Sequence, residues 1–444
     1  MNQKGTGGSP RGRRPVPIFS MSIKARLAGL TAAVASSVLA LTSCVYDRDT
    51  DPIADAPSGP IPFVFHISTL NNSTDPKGTD VIETVKSLRV IIIDNQGVLE
   101  VNENVDLEAP EYAAGAFEYI YSTTLNVNTK KVYLIANEEE ARDFGITDMT
   151  DLPSNLPTGS LTLMLDYFKE ETEEDSERIG RTFEKLLNRI YFKADYSDRI
   201  SDGRIYLPYS AYYELGIEEF GTSRVERPLY LVPAATKIEF NVVNYRRFGV
   251  QINDIELCSV HTHNYLLAQV GSGEKRKTVD DREMWWIDWL QQCAEGSHKA
   301  EDLEAFNEKW GWMSGYGMPV EEPCNDRGLN FAGEEWKLAA MIDKNNPDRK
   351  SWGPFYLPES KNILPVDAGS EKQSYTLTFR IHDDSKDEDI VLSGVEIDTL
   401  KSLFRATHLI LNVELYDQGV EIYAEIAPWV FQPFWGYVQQ EDDD

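Results

Sequence analysis

Apolar and polar positions alternate along most of this chain. Ile61–Thr69 (IPFVFHIST) puts Phe63, Phe65 and Ile67 on one face and Val64, His66 and Ser68 on the other, which predicts a strand buried on one side. Residues 71–80 (NNSTDPKGTD) read as a loop by composition. Residues 85–94 (VKSLRVIIID) end in an unbroken apolar run, as expected of a strand covered on both faces. Asn95-Gln96-Gly97 turns the chain into a strand over 98–101, and 117–125 and 131–136 continue the series. From about 138 to 187 the pattern becomes helical and acidic. Within it, 170–177 (EETEEDSE) is a charge run that reads as a solvated loop or helix face.

Strand character returns at 190–194, 205–207 and 228–232. Residues 236–243 (TKIEFNVV) alternate cleanly, with Ile238, Phe240 and Val242 on one face. Further strands are expected at 255–260, 375–382, 408–416 and 420–426. Residues 280–315 combine helical spacing with many tryptophans. Such a series predicts a mainly β protein with helical excursions, two sandwich-like domains in series, 61–232 and 233–444.

The N-terminal region follows different rules. Lys24 and Arg26 precede an apolar run over 27–41, and Leu41-Thr42-Ser43-Cys44 follows at once. That run is too short for a spanning helix and matches a lipoprotein signal, residues 21–43, with Cys44 as the lipidated residue. An ordinary secretory signal with a chance cysteine is the plainer alternative. Residues 1–20 have no place in such a signal, so Met21 is expected to be the true start. Residues 44–60, rich in Asp, Pro, Ala and Ser, read as a flexible stalk.

Composition narrows the function. Against 73 Asp and Glu stand 43 Lys and Arg, a net charge of −30, so the surface repels phosphate backbones and a nucleic-acid role is not expected. With Cys44 lipidated, Cys258, Cys293 and Cys324 remain, an odd number in an exported protein, and their spacing does not settle whether two of them pair. His261 and His263 lie at strand spacing and would face one side, yet no third ligand is close, so they read as a satisfied surface pair. Asp383, Asp384, Asp387, Glu388 and Asp389 lack a calcium-loop pattern and read as a solvated hairpin. Trp285, Trp286, Trp289, Trp310 and Trp312 offer indole faces for sugar rings, whereas Met284, Trp285 and Trp289 at helical spacing point to packing. No nucleophile elbow, phosphate loop or dinucleotide fingerprint is present, so no catalytic residue, metal or cofactor is expected.

The order of segments resembles the fimbrillin family, the subunits of type V pili. The resemblance runs from the Cys44 lipobox through the first strand to Asp94-Asn95-Gln96-Gly97 and Tyr133-Leu134-Ile135-Ala136-Asn137. It continues through Pro233-Ala234-Ala235-Thr236-Lys237-Ile238, a partial match, and Phe355-Tyr356-Leu357-Pro358-Glu359. It ends with Phe404-Arg405-Ala406-Thr407-His408-Leu409, where Ala406 and Leu409 depart from the pattern, and Ala427-Pro428-Trp429.

The resemblance implies two transthyretin-like β-sandwich domains with helical insertions, and an outer-membrane, surface-exposed lipoprotein carrying palmitate on Cys44. It implies assembly into a fimbrium: a protease cuts the loop after the first strand, that strand leaves, and a neighbour's C-terminal strand fills the groove. The donor candidate here is about 420–440, whose Trp429, Phe431, Phe434, Trp435 and Tyr437 are too apolar for a free tail. No Arg lies between Arg48 and Arg89, so the processing candidate is Lys77, the one basic residue of the loop. Otherwise the strand is kept, and the chain is an anchor; cutting at Arg48 would release the lipid and leave the strand in place. The expected role is therefore a shaft or, with a slight preference, an accessory (tip or anchor) subunit. Its partners would be other pilus subunits, the outer membrane and a glycan or protein receptor. The alternative is a monomeric surface lipoprotein that binds glycans through the Trp-rich segment.

Overall fold

The segment expected to be a half-buried strand is one. In the computed structural model, β1 (Ile61–Thr69) buries Phe63, Phe65, Ile67 and Thr69 and leaves Val64, His66 and Ser68 partly exposed. The structure describes residues 61–69, 81–113, 117–169, 176–196, 200–216, 223–224, 229–269, 276–279, 282–285, 298–299, 325–328, 336–343, 346–361, 375–397, 400 and 402–427. The chain divides into two units, Met1–Ser58 and Gly59–Asp444, and all described residues belong to the second.

After β1 come β2 (Ile82–Val85), β3 (Leu88–Asp94), β4 (Leu99–Val105), β5 (Tyr112–Ala113), β6 (Glu118–Leu125) and β7 (Thr129–Ala136). Next are β8 (Gly145–Ile146), β9 (Ile190–Lys193), β10 (Ile200–Ser201), β11 (Arg204–Ile205), β12 (Tyr209–Gly216), β13 (Ser223–Arg224) and β14 (Leu229–Pro233). The main sheet runs β6-β1, then β13 and β14 end to end, then β12-β7-β3-β4. A smaller sheet has the order β10-β11-β2-β5.

β3 is buried along its whole length, as its apolar run predicted. The helices Leu161–Asp166 and Ser176–Leu187 adjoin the β3-β4-β7 region. Asn102 donates to the Leu165 carbonyl, Lys131 pairs with Glu184, and Arg181 donates to the Gln96 carbonyl. Arg89, inside β3, is neutralised by a two-pronged pair with Glu138 at 2.6 and 2.8 Å and by Asp166 at 2.9 Å. A guanidinium this deep would otherwise be prohibitive to bury.

The second half contains β15 (Thr236–Asn244), β16 (Val250–Val260), β17 (His263–Tyr265), β18 (Arg276–Val279), β19 (Arg282–Trp285), β20 (His298–Lys299) and β21 (Asn325–Gly328). It continues with β22 (Trp336–Leu338), β23 (Asp348–Leu357), β24 (Ser360–Lys361), β25 (Thr376–Asp383), β26 (Glu388–Glu396), β27 (Ser402–Leu403), β28 (His408–Tyr416) and β29 (Gly419–Ala427). Two sheets dominate: β20-β29-β28-β15-β23, and β16 and β25 with β21, β22 and β26. The fold is mainly β, with the helical excursions expected between 138 and 187.

One expectation is corrected. The helical reading of 280–315 fails where it is visible, because 282–285 is a strand paired antiparallel with 276–279. The register brings Val279 opposite Arg282. Of the expected donor segment, 420–440, residues 420–427 belong to β29, which is paired along one edge with β28 from Tyr416↔Gly419 to His408↔Ala427, and 428–440 lie outside the described residues.

Candidate functional site: the groove around the first strand

β1 is held on both edges by partners distant in sequence. It pairs antiparallel with β6 from Ile61↔Leu125 to Ser68↔Glu118. On its other edge it runs parallel to β13 at Phe63↔Ser223 and to β14 at Ile67↔Leu229. The buried face is aromatic: Phe63 and Phe65 lie 4.7 Å apart, and Phe65 stacks on Tyr121 of β6 at 6.2 Å. Burying Phe63, Phe65 and Ile67 contributes about 1.5–3 kcal/mol each. Among the described residues, β6 has no sheet partner other than β1. Taking β1 away would leave an apolar trough with unpaired N–H and C=O groups along both walls.

The next described strand after β1 lies in a different sheet. That strand, β2, belongs to the smaller sheet, where it pairs with β11 and β5. Thus β1 is joined to its sheet neighbours by non-covalent contacts and to the following strand through residues 70–81.

The motif residues read from the sequence prove to be structural pins. The Asp94 carboxylate accepts from the Gln96 and Val98 amides at 2.9 and 2.8 Å and from Asn128 at 3.1 Å. Gly97 closes this turn at φ 93°, and a Cβ there would meet the Arg181 side chain at 2.5 Å. Asn137, at φ 53°, accepts from the Lys86 amide and donates to the carbonyls of Thr84 and Leu207. An amide is the one small group that tolerates this backbone and both gives and takes hydrogen bonds.

Three motifs of the second half meet at one buried seam. Arg405 binds Glu359 through Nε and Nη2, both at 2.8 Å, and donates to the carbonyls of Leu266 and Tyr265 and to Ser210 Oγ of β12. Ala406, at φ 57°, donates to the Ala235 carbonyl, and Thr236 Oγ donates to the Phe404 carbonyl. Tyr356 donates to Glu83 of β2 at 2.9 Å, with Lys237 Nζ 3.9 Å from the same carboxylate oxygen. Burial, with Glu83 beside it, pushes the Tyr356 phenol well above its ordinary value, so it stays a neutral donor. These groups tie strands on both sides of residue 233 together.

The remaining candidates fall as follows. His261 and His263 do not share a strand, because β16 ends at Val260 and β17 begins at His263. His261 is buried rather than on the surface, and His263 meets the Tyr191 ring edge-on. Asp383, Asp384, Asp387, Glu388 and Asp389 form the β25–β26 hairpin, whose turn is closed by the Asp383 carboxylate accepting from Ser385 N and Oγ. No group of three or more His, Cys, Asp or Glu residues suited to a metal occurs among the described residues. None of the described helices is long and apolar enough to cross a membrane. Cys258 is half-buried in β16. Cys44, Lys77, Trp286, Trp289, Cys293, Trp310, Trp312, Cys324, Trp429, Phe431, Phe434, Trp435 and Tyr437 lie outside the described residues. The sequence did not reveal Tyr121 or Glu103, whose contact joins strands far apart in the sheet order.

No family model and no curated protein matches the chain. Among solved structures it is similar to the tip fimbrial protein Mfa3 from Porphyromonas gingivalis with a C-terminal truncation. That match has 13% identity and a TM-score of 0.41, over 83% of this chain and 99% of the other. It is also similar to a "putative cell adhesion protein" from Parabacteroides distasonis, with 10% identity and a TM-score of 0.43 over 82% and 90% of the two chains. A fimbrial assembly protein from the same organism matches with 9% identity and a TM-score of 0.34, over 82% and 95%.

Proposed function

We propose that this chain is a subunit of a cell-surface pilus, exported as a lipoprotein through Cys44, in which β1 holds a place later taken by a strand from a neighbouring subunit. The observation that carries this reading is β1 itself: an apolar strand between β6 and β14 whose chain continues into a different sheet. An incoming strand would run antiparallel to β6 and fill the positions of Phe63, Phe65 and Ile67 with apolar side chains at alternate positions. The donor candidate narrows to 428–440, with Trp429, Phe431, Phe434, Trp435 and Tyr437. The loop 71–80 carries Lys77 and no Arg, which favours an accessory place at the tip or the base over the shaft.

The test uses the full chain carrying a site-specific protease sequence within 71–80. After the cut, a labelled peptide of residues 61–69 should exchange into the protein, and a peptide of 428–440 should compete for the same groove. A cut chain that takes up neither peptide, with β1 still bound after days, would remove strand exchange as the function. Mass spectrometry of the mature N-terminus separates the roles: lipid retained on Cys44 fits an anchor, and a start at Gly78 fits a processed subunit.

A further inference from the structure

β6 is the wall that stands to be lost when β1 leaves, because β1 is its only sheet partner among the described residues. It nevertheless has attachments that do not pass through β1. Tyr121 Oη donates to Glu103 Oε2 at 2.6 Å, joining β6 to β4 at the opposite end of the sheet order. Asn126, just past β6, donates to Glu100 Oε1 of β4 at 2.7 Å, and Lys130 Nζ lies 2.7 Å from Glu100 Oε2. Two residues after Asn126, Asn128 donates to Asp94 Oδ2 at 3.1 Å. Before β6, Phe117 is buried and meets the Tyr112 ring edge-on at 5.5 Å.

Tyr121 has two roles at once. Its ring stacks on Phe65, so it lines the groove, and its hydroxyl reaches away to Glu103. Burial, then the hydrogen bond to Glu103, pushes its phenol far above the ordinary value, which keeps it a proton donor at every physiological pH.

We infer that Tyr121 and Glu103 form a latch that holds β6 in place across the empty groove, so that an arriving strand meets a preformed slot. The inference rests on the strand-exchange reading. It makes Tyr121 a positioning residue: without the latch, β6 drifts once β1 departs, and capture must wait for it to return. Preorganisation of this kind appears in the rate of association, because the free groove carries the penalty rather than the filled one.

The test is the association rate of a fluorescent 61–69 peptide with the cut but complete chain, measured in wild type, Tyr121→Phe, Glu103→Ala and Glu103→Gln. A hydrogen bond to a carboxylate of this kind corresponds to about a tenfold change in rate. Tyr121→Phe and Glu103→Ala should slow capture about tenfold while leaving dissociation near the wild-type rate. Glu103→Gln, which can still accept from the phenol, should restore most of the loss. Capture at the wild-type rate by Tyr121→Phe and Glu103→Ala overturns the latch and leaves strand exchange intact. A slowed capture in Glu103→Gln equal to that of Glu103→Ala overturns it as well, since a lost charge rather than a lost hydrogen bond would then be the cause. Wild type that captures no peptide overturns strand exchange and the latch with it.

Discussion

β1 and β29 are both nine-residue strands with alternate burial, yet they are secured in opposite ways. β29 closes on β28 through the two-residue turn Asp417-Gln418, so its full-length ladder is local, and among the described residues its other edge pairs only with His298 and Lys299 of β20. β1 finds its partners at Leu125, Ser223 and Leu229, and none of its sheet partners among the described residues is local. A hairpin strand that opens recloses at once because its loop is short. A strand held by distant partners stays in place only by its side chains and ladder bonds, and it is replaceable when its covalent link is cut. If one of the two strands is to be exchanged, this difference makes it β1, in the first half of the chain, and not β29.

The largest effect should come from the aromatic anchor of β1. Phe65→Ala removes a fully buried ring, and such changes cost about 3–5 kcal/mol. In urea unfolding followed by hydrogen exchange, amides of β1 and β6 should lose protection together while those of β28 and β29 keep theirs. Equal loss in all four strands would mean that the two regions are not separable.

Slightly smaller is the effect of Arg405→Ala. Removing one partner of the buried Arg405–Glu359 pair leaves a carboxylate in the seam and costs about 3 kcal/mol. Since Arg405 also holds Ser210 of β12 and the Leu266 carbonyl, unfolding should split into two transitions, one for the β1-bearing sheet and one for the β28–β29 sheet. A single shifted transition would show that apolar contacts alone couple them.

Much of this was legible in the alternation of residues. β1, β15 and β28 lie where period two is regular, and the all-apolar run of β3 announced burial on both faces. The strands that escaped notice lack that signal for physical reasons. β12 (YSAYYELG) is buried through small and tyrosine side chains, and β26 (EDIVLSGVE) is an edge strand whose apolar residues Ile390, Leu392 and Val395 are only half-buried. β23 carries Gly353-Pro354, which reads as a breaker. Gly353 sits there at φ 133°, because a Cβ would come within 2.9 Å of the Ile238 carbonyl of β15. Of the groove, the filling side chains Phe63, Phe65 and Ile67 and the wall strands at 117–125 and 228–232 were visible, whereas the pairing of those walls with β1 was not. The Tyr121–Glu103 contact depends on bringing the two end strands of one sheet together, which no local pattern encodes.

A matched pair of mild substitutions sharpens the comparison. Ile67→Val in β1 and Ile422→Val in β29 each remove one buried methyl and should each cost about 0.5–1.5 kcal/mol. Stability should fall alike, whereas exchange of the 61–69 peptide into the cut chain should quicken only in Ile67→Val. Faster exchange in both variants would show that β1 is released by general loosening rather than by its own contacts.

The smallest effect is expected at the turn that pins β29. Arg247 donates to Asp417 through Nε at 2.8 Å and through its backbone N–H at 3.3 Å, and these bonds hold the carboxyl below the usual carboxylate range. A carboxylate depressed in the folded state adds stability above its unfolded value of about 4, and that stability is lost as pH falls through the lower folded value. Below about pH 4, amide exchange at Gly419 and Val420 should therefore rise, and in Asp417→Asn the same step should be absent. The pair is partly exposed, so solvent screens it and the change stays confined to the turn. Residues near Ala427, at the far end of the β28 ladder, should show no step. If acid instead released β29 along its whole length, the hairpin would be no firmer than β1, and permanence could not be assigned to the second half of the chain.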